Sequence, residues 1–520
     1  MKLKKTYFKI FFKAIIFCTA IFSFSQEAQR PFVIVDNVHS YDLNPHTASY
    51  SNEAQVFTAL YEGLFSYDPI TLEPRNALCT EYKISRDKKK YTFTITDNAF
   101  FSDGTAITAQ TVRTSWLKLL AQPDAPFSSF LDCIEGAVDF KAGKISADDV
   151  RIQAKDDSTL TVKLKEPTAQ FLTLLCHHSL VAVSESENVY SGPFVVKSYD
   201  SNGLILEKNE YYREKEKIRI SEIKILQSDD SKENAYLFNA GKADWIMGYA
   251  DNEILIEKNS IHANETFGTT YIFFKTKNEP WDKIEFRQAL LEAIPYDKLR
   301  ENYFSQAATL VPNLEGYSCP YGIDSYDLEN AIEMMDDARK KYNIPKDEKF
   351  SIVFATYENE LLDFYFNTLK EAWEPLGVVL QKQTVPHQIY NHNIPQWNAD
   401  LFLYSWLGDY ADPYAFLELF KGNNSLNVSG YFNEKYDALL SKAASTIKAD
   451  ERYEILSEAE QVLLDDNVII PIGYSVAYNI INLNEVGGWI YNALDIHPLK
   501  YIFLKETKYT PPENFTLIKH

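Results

Sequence analysis

The 520-residue sequence lacks the short motifs that mark common catalytic sites. It contains no GxSxG, no GxxxxGK[ST], no HExxH and no strand-flanked GxGxxG. The adjacent His177 and His178 follow an apolar helical run, so metal binding is the weaker interpretation of this pair. Asp409 and Asp412 could be an acid and base pair, but their turn-like setting makes Asp412 a helix-start residue. The sequence therefore favours binding over catalysis.

Cysteine is also scarce, with five residues in the chain. Cys18 lies in the N-terminal leader, and Cys79, Cys133, Cys176 and Cys319 have neither CxxC spacing nor histidines at zinc spacing. Export permits a disulfide among these four residues. The sequence leaves their pairing open.

No apolar run after the leader is long enough to cross a bilayer. The leader itself, residues 1–25, starts with five lysines and continues with an apolar run, Ala14–Phe24. Ser23 and Ser25 precede the predicted cleavage before Gln26. The pattern predicts a cleaved signal peptide and a periplasmic or cell-surface protein, either free or lipid-anchored.

Basic residues are fewer than acidic ones, with 52 lysines and arginines against 73 aspartates and glutamates. The formal charge of the chain is −21, and the leader carries five lysines and no acid, so the mature chain has −21 − 5 = −26. A negative field of this size repels nucleic acid, and no basic stripe is present that would contact phosphates. We therefore expect no nucleic-acid partner.

Helical and strand patterns alternate in the second half of the chain. Alternation of this kind predicts an α/β fold with a parallel sheet that is covered on both faces. In the first half, Thr108 is the predicted N-cap of a helix that ends near Leu120. The predicted elements of the second half are helices 284–294, 329–342, 360–373, 433–445 and 450–464, and strands 351–355, 378–385, 400–406 and 469–472.

Seven short segments occur in an order that is typical of one known family. They are Leu43–His46, Leu60–Leu64, Tyr91–Phe93 with Phe101–Gly104, Gly192–Phe194, Asn209–Tyr212, Asn239–Asp244 and Phe286–Leu290. Together they resemble the large substrate-binding proteins of oligopeptide and dipeptide ABC importers, which form extracellular solute-binding protein family 5.

The resemblance implies an α/β fold similar to type II periplasmic binding proteins. Two lobes with mixed sheets are joined by a hinge, and a smaller additional domain is attached. The expected boundaries are a signal peptide at 1–25, a discontinuous lobe I at 26–52, 177–270 and 476–520, the additional domain at 53–176, and lobe II at 271–475.

The segment Trp406–Pro413 resembles the oligopeptide-binding branch most closely. By that resemblance, Asp409 binds the α-ammonium group of a peptide, and Tyr404, Ser405, Trp406 and Leu407 lie along its backbone. Ser51 is expected to contact the ligand from the other lobe, and His387 stands where the branch has a pocket tryptophan. Leu403 replaces an arginine that helps to bind the ligand carboxylate.

The resemblance implies a monomer without cofactor or metal, which captures short peptides between its lobes and delivers them to the membrane subunits of an ABC importer. The same scaffold could bind a dipeptide, a sugar, a nickel chelate or a haem-like molecule. An exported hydrolase of cell-wall peptides is the alternative from another class, and a surface adhesion or sensory protein is a third. Peptide length and sequence preference stay open.

Overall fold

A computed structural model describes residues 30–48, 51–123, 125–200, 203–386, 390, 394, 397–422, 424 and 426–505. The predicted leader and His387 lie outside the described residues. Ser51 is described by its backbone alone, so the predicted contact of its side chain stays a prediction.

Eighteen strands and twelve helices are found within these ranges. The strands are β1 (Phe32–Asp36), β2 (Phe65–Tyr67), β3 (Pro74–Asn76), β4 (Cys79–Ile84), β5 (Lys90–Ile95), β6 (Ile152–Ala154), β7 (Thr159–Lys163), β8 (Phe194–Asp200), β9 (Gly203–Lys208), β10 (Glu222–Gln227), β11 (Trp245–Met247), β12 (Ile261–Phe274), β13 (Phe350–Thr356), β14 (Val378–Thr384), β15 (Leu401–Leu407), β16 (Ile469–Ile481), β17 (Val486–Gly487) and β18 (Phe503–Leu504). The helices are α1 (Ser51–Leu60), α2 (Ala109–Ala121), α3 (Ala137–Lys141), α4 (Phe171–Leu174), α5 (Ser231–Asn239), α6 (Ile284–Glu292), α7 (Tyr296–Leu299), α8 (Leu328–Lys341), α9 (Glu360–Trp373), α10 (Tyr414–Leu417), α11 (Glu434–Ser445) and α12 (Ala449–Asp465).

One large mixed sheet runs through the molecule, with strand order β14-β13-β15-β12-β16-β11-β1-β10-β9-β8. The parallel prediction is correct for β13 with β14 and β15, and β1 is also parallel to β10 and β11. It is wrong for β12 and β16, which pair antiparallel with each other, while β12 is also antiparallel to β15. The sheet is therefore mixed, with further antiparallel pairs between β10 and β9 and between β9 and β8.

The two halves of the sheet meet at an irregularity in β12. The register with β16 shifts between Glu265 and Thr269 and again between Thr270 and Tyr271. Since a bulge bends a strand and locally stops its pairing, residues 266–268 have no partner on β16, and Thr266 and Phe267 line the space beside the bulge. This is where the main cavity opens.

A separate antiparallel sheet, β4-β5-β7-β6, lies within the range predicted for the additional domain. Helix α2 packs against β6 and β7, and its buried Trp116 donates a hydrogen bond to the carbonyl of Leu180 at 3.0 Å. Thr108 is the N-cap residue of α2, as predicted, and forms a capping box with Thr111.

Cys79, Cys133, Cys176 and Cys319 are free thiols. The part of the chain that the structure describes therefore has no disulfide, and its stability rests on packing and hydrogen bonds. None of the helices in this part is long and apolar enough to cross a membrane.

Candidate functional site

A cavity of about 630 Å³ lies at the irregularity in β12, where distant parts of the chain meet. Its walls come from α1, the β2 region, the His177 segment, the bulge of β12, the residues after β15, the centre of β16 and the C-terminal segment. The lining residues with polar or aromatic groups include Phe57, Tyr67, Phe127, His177, His178, Phe267, Asp409, Ser475, Asp495 and Lys500.

Strand β15 reaches the cavity with one edge unpaired. Its pairing with β13 stops at Phe402, whereas its pairing with β12 continues to Leu407. The N–H of Leu403 points away from β12, since it donates to the hydroxyl of Tyr390 at 3.0 Å. The N–H of Gly408 points toward β12, since it donates to the carbonyl of Phe267 at 2.7 Å.

Backbone groups alternate along a strand, so Ser405 and Leu407 direct their N–H and C=O groups away from β12. No described strand pairs with them on that side. Both residues are exposed, and the Leu407 side chain has 55% of its surface free. The edge is therefore available to an extended ligand.

Asp409 follows this edge and lines the cavity. None of the described residues donates a hydrogen bond to its carboxylate or forms an ion pair with it. Burial without a partner raises the pKa of Asp409 from its ordinary value to about 7. The site thus holds a carboxylate for which a cation would be a favourable partner.

The chain beyond Asp409 is held by a buried ion pair. Asp412 contacts Arg452 through both of its oxygens, with 2.8 Å between Oδ1 and Nη2. Oδ1 of Asp412 also accepts the backbone N–H of Tyr414 at 2.9 Å, at the start of α10. Asp412 thus has the predicted helix-start role, and in addition it anchors the loop.

Tyr404 and Trp406 are not among the residues that line this cavity. Their rings stack with centroids 6.2 Å apart, and the Trp406 indole donates to the carbonyl of Ala415 at 3.0 Å. The Ser405 hydroxyl is 2.8 Å from that of Thr270 on β12. Of the residues predicted to contact the ligand, the structure therefore brings Leu407 and Asp409 together on the cavity wall.

Sequence reasoning missed the opposite wall. The rings of His177 and His178 are tilted by 37° with centroids 4.0 Å apart, and the Phe127 ring centroid lies 4.4 Å from that of His177. Burial lowers the pKa of His178 to about 3 and that of His177 well below its ordinary value, so both rings are neutral at pH 7. The adjacent histidines were a visible signal, but their cavity position depends on the fold.

The sequence matches bacterial extracellular solute-binding proteins, family 5 Middle, over residues 73–427. It is 26% identical over 467 residues to the dipeptide-binding protein DppE of Bacillus subtilis, with 83% of each chain covered. It is also 26% identical over 515 residues to the periplasmic oligopeptide-binding protein OppA of Salmonella typhimurium, with 92% of this chain and 91% of the relative covered.

Solved structures have the same fold. The unliganded open form of the murein tripeptide-binding protein MppA aligns with a TM-score of 0.77 at 23% identity, covering 91% of this chain and 97% of that one. Haemophilus influenzae OppA in complex with the peptide RPPGFSPFR aligns with a TM-score of 0.70 at 20% identity, covering 92% and 100%. The predicted type II periplasmic-binding fold is thereby confirmed. Since the family match spans more than half of the sequence, the chain belongs to the bacterial extracellular solute-binding proteins of family 5.

Proposed function

We propose that this protein binds short peptides in the cavity between its lobes. The observation that carries the proposal is the unpartnered carboxylate of Asp409 at the end of the free edge of β15. A peptide offers an ammonium group at one end and alternating N–H and C=O groups along its backbone. The site has a complementary group for each of these.

The energetics favour an ammonium group over a neutral donor at Asp409. A carboxylate that is shielded from water without a partner has lost its hydration without compensation. A charge-assisted hydrogen bond restores much of that loss, and the ligand's own charge is neutralised in the same step. Leaving either charge unpaired after closure would be costly.

The edge of β15 supplies affinity that does not depend on side chains. Ser405 and Leu407 each offer one N–H and one C=O, which a ligand strand could pair with whatever its sequence. Selectivity for ligand side chains would come from the rest of the cavity, where His177, His178 and Phe127 form an uncharged aromatic wall. This wall suits apolar or aromatic ligand side chains.

Export and transport complete the proposal. The leader pattern and the family support a location of the mature protein outside the cytoplasmic membrane, where it would act as a monomer that passes its ligand to an ABC importer. Relatives are named for dipeptides and oligopeptides. In this site, an oligopeptide would continue along β15 beyond the first residues of the ligand, whereas a dipeptide would not.

Calorimetric titration tests the proposal. Free di- to pentapeptides are compared with their N-acetylated forms, using the wild type, Asp409→Asn and the exposed control Asp347→Asn. We expect acetylation to weaken binding at least tenfold in the wild type and the control, because it removes the charge that Asp409 binds. Asp409→Asn should bind both forms weakly.

Two results would contradict the proposal. One is peptide binding that survives N-acetylation unchanged in the wild type. The other is cleavage of the peptides, detected by mass spectrometry of the titrated samples, which would favour a hydrolase.

A further inference from the structure

We propose that Asp495 is a second ligand-binding carboxylate, which selects peptides with a basic side chain. This inference rests on the proposed function and adds a class of ligand to it. Asp495 lines the same cavity as Asp409, on the segment between β17 and β18. Its side chain keeps 27% of its surface free.

Only one oxygen of Asp495 is used by the protein. Oδ1 accepts a hydrogen bond from the side-chain amide of Asn479 at 3.0 Å and lies 3.0 Å from Nε2 of His497. None of the described residues donates to Oδ2. The carboxylate of this cavity-lining residue is therefore held through one oxygen, which leaves the other for a ligand.

His497 orients the carboxylate of Asp495. Its Nδ1 lies 2.8 Å from the carbonyl of Ile490, while its Nε2 faces the carboxylate. The ring also stacks on Trp489 with 4.2 Å between centroids, which fixes its plane.

The segment around Asp495 is held by several hydrogen bonds. Gln55 on α1 exchanges two hydrogen bonds with the backbone of His497, at 2.6 and 2.7 Å. The Asn479 amide that donates to Asp495 is itself oriented by the indole N–H of Trp245 at 2.8 Å. Asp495 has a φ of +52°, a left-handed conformation that aspartate tolerates better than most residues. A position so closely constrained by buried partners suits a preorganised binding group.

Asp495 and Asp409 flank the same residue of the β12 bulge. The carbonyl of Phe267 accepts the N–H of Gly408, next to Asp409, at 2.7 Å. The N–H of Phe267 donates to the carbonyl of Ala493, two residues before Asp495, at 2.6 Å. The two carboxylates thus belong to different segments, and both segments are hydrogen-bonded to the backbone of Phe267.

A peptide with a single positive charge would satisfy only one of them. The cation that also lines the cavity, Lys500, lies 3.6 Å from the buried carboxylate of Glu62 and is already engaged. A lysine or arginine side chain near the amino end of the ligand would supply the second donor. The resulting bond would be charge-assisted and partly shielded from water.

Pairs of peptides that differ only in lysine against norleucine at positions one to four test the inference. Calorimetry is run with the wild type, Asp495→Asn and Asp347→Asn, whose aspartate is exposed. We expect one position at which lysine binds at least about tenfold tighter in the wild type and the control. Asp495→Asn should reduce that preference to within threefold while the penalty for N-acetylation remains.

The outcomes separate this inference from the proposed function. If peptides bind with an acetylation penalty but no position prefers lysine in the wild type, Asp495 has no such role, whether or not its variant folds. The same conclusion follows if Asp495→Asn keeps the lysine preference. Loss of the acetylation penalty in Asp495→Asn would mean that both aspartates bind the α-ammonium, which also overturns the inference. Absence of any peptide binding would instead count against the proposed function.

Discussion

Arg452 and Asp412 form a buried ion pair, and Asp412 follows the cavity carboxylate Asp409 by three residues in the sequence. Their side chains are 4% and 6% exposed, and two hydrogen bonds join them. The pair connects helix α12 to the loop that leads from β15 into α10. The position of Asp409 therefore depends on a contact that itself never touches the cavity.

Replacing Arg452 with methionine should destabilise the protein by about 3–5 kcal/mol, because it leaves the Asp412 charge buried and unpaired. Urea unfolding of the wild type and the variant measures this loss. The matched control is Lys448→Met, which removes an exposed pair with Glu451 near the start of the same helix and should cost less than about 1 kcal/mol. Equal losses in the two variants would show that the buried pair contributes no more than a surface pair.

Ligand affinity should depend on pH through Asp409. Its pKa of about 7 means that it is increasingly protonated below neutrality, and the protonated form cannot pair with an ammonium group. We expect the Kd of a peptide to rise about tenfold for each pH unit below 7. Titrations from pH 5 to 8 measure this slope, which should vanish in Asp409→Asn.

Glu418 provides the control for that experiment. Burial raises its pKa to about 7 as well, and the Tyr410 hydroxyl donates to it at 3.1 Å. It does not line the cavity, so Glu418→Gln should keep the pH dependence of binding. If the slope disappears in Glu418→Gln and persists in Asp409→Asn, the titrating group is Glu418 and the prediction for Asp409 is wrong.

The empty protein should gain stability when Asp409 becomes asparagine. A carboxyl whose folded-state pKa is raised from 3.8 to about 7 favours the folded state while protonated, and this stability is lost as pH rises through that interval. At pH 8, Asp409→Asn should therefore be more stable than the wild type by about 1–4 kcal/mol. At pH 4 the two should unfold at similar urea concentrations. A variant that is less stable at pH 8 would show that Asp409 has a partner in the folded protein.

Local signals account for the elements that could be predicted from sequence. Helix α9 has its predicted bounds because Asn359 caps its N-terminus and the segment Pro375–Gly377 ends it. Strand β16 was predicted to end at residue 472 but continues to Ile481. The strand continues past Pro471, which lies at a register shift, and past Gly473, which makes room for the ring of Tyr303.

The candidate site was only partly predictable for a different reason. Asp409 stands in a contiguous segment whose residues resemble a family pattern, so one stretch of sequence was enough. The position of Asp495 depends on distant parts of the chain, namely Asn479 on β16 and, through His497, Gln55 on α1. Gln55 and His497 are 442 residues apart in the sequence and meet only in the folded chain. No spacing in the sequence indicates such a contact.

The free edge of β15 leads to a prediction about one backbone donor. The N–H of Leu407 points away from β12, so Leu407→Pro should keep the ladder with β12 and remove a donor that faces the ligand. We expect peptide affinity to fall about tenfold, with a small change in the urea midpoint. Leu407→Ala keeps the N–H and should bind almost as the wild type does, which separates the backbone contribution from that of the exposed side chain. If the alanine and proline variants lose the same affinity, the side chain is responsible and the ligand does not pair with this edge.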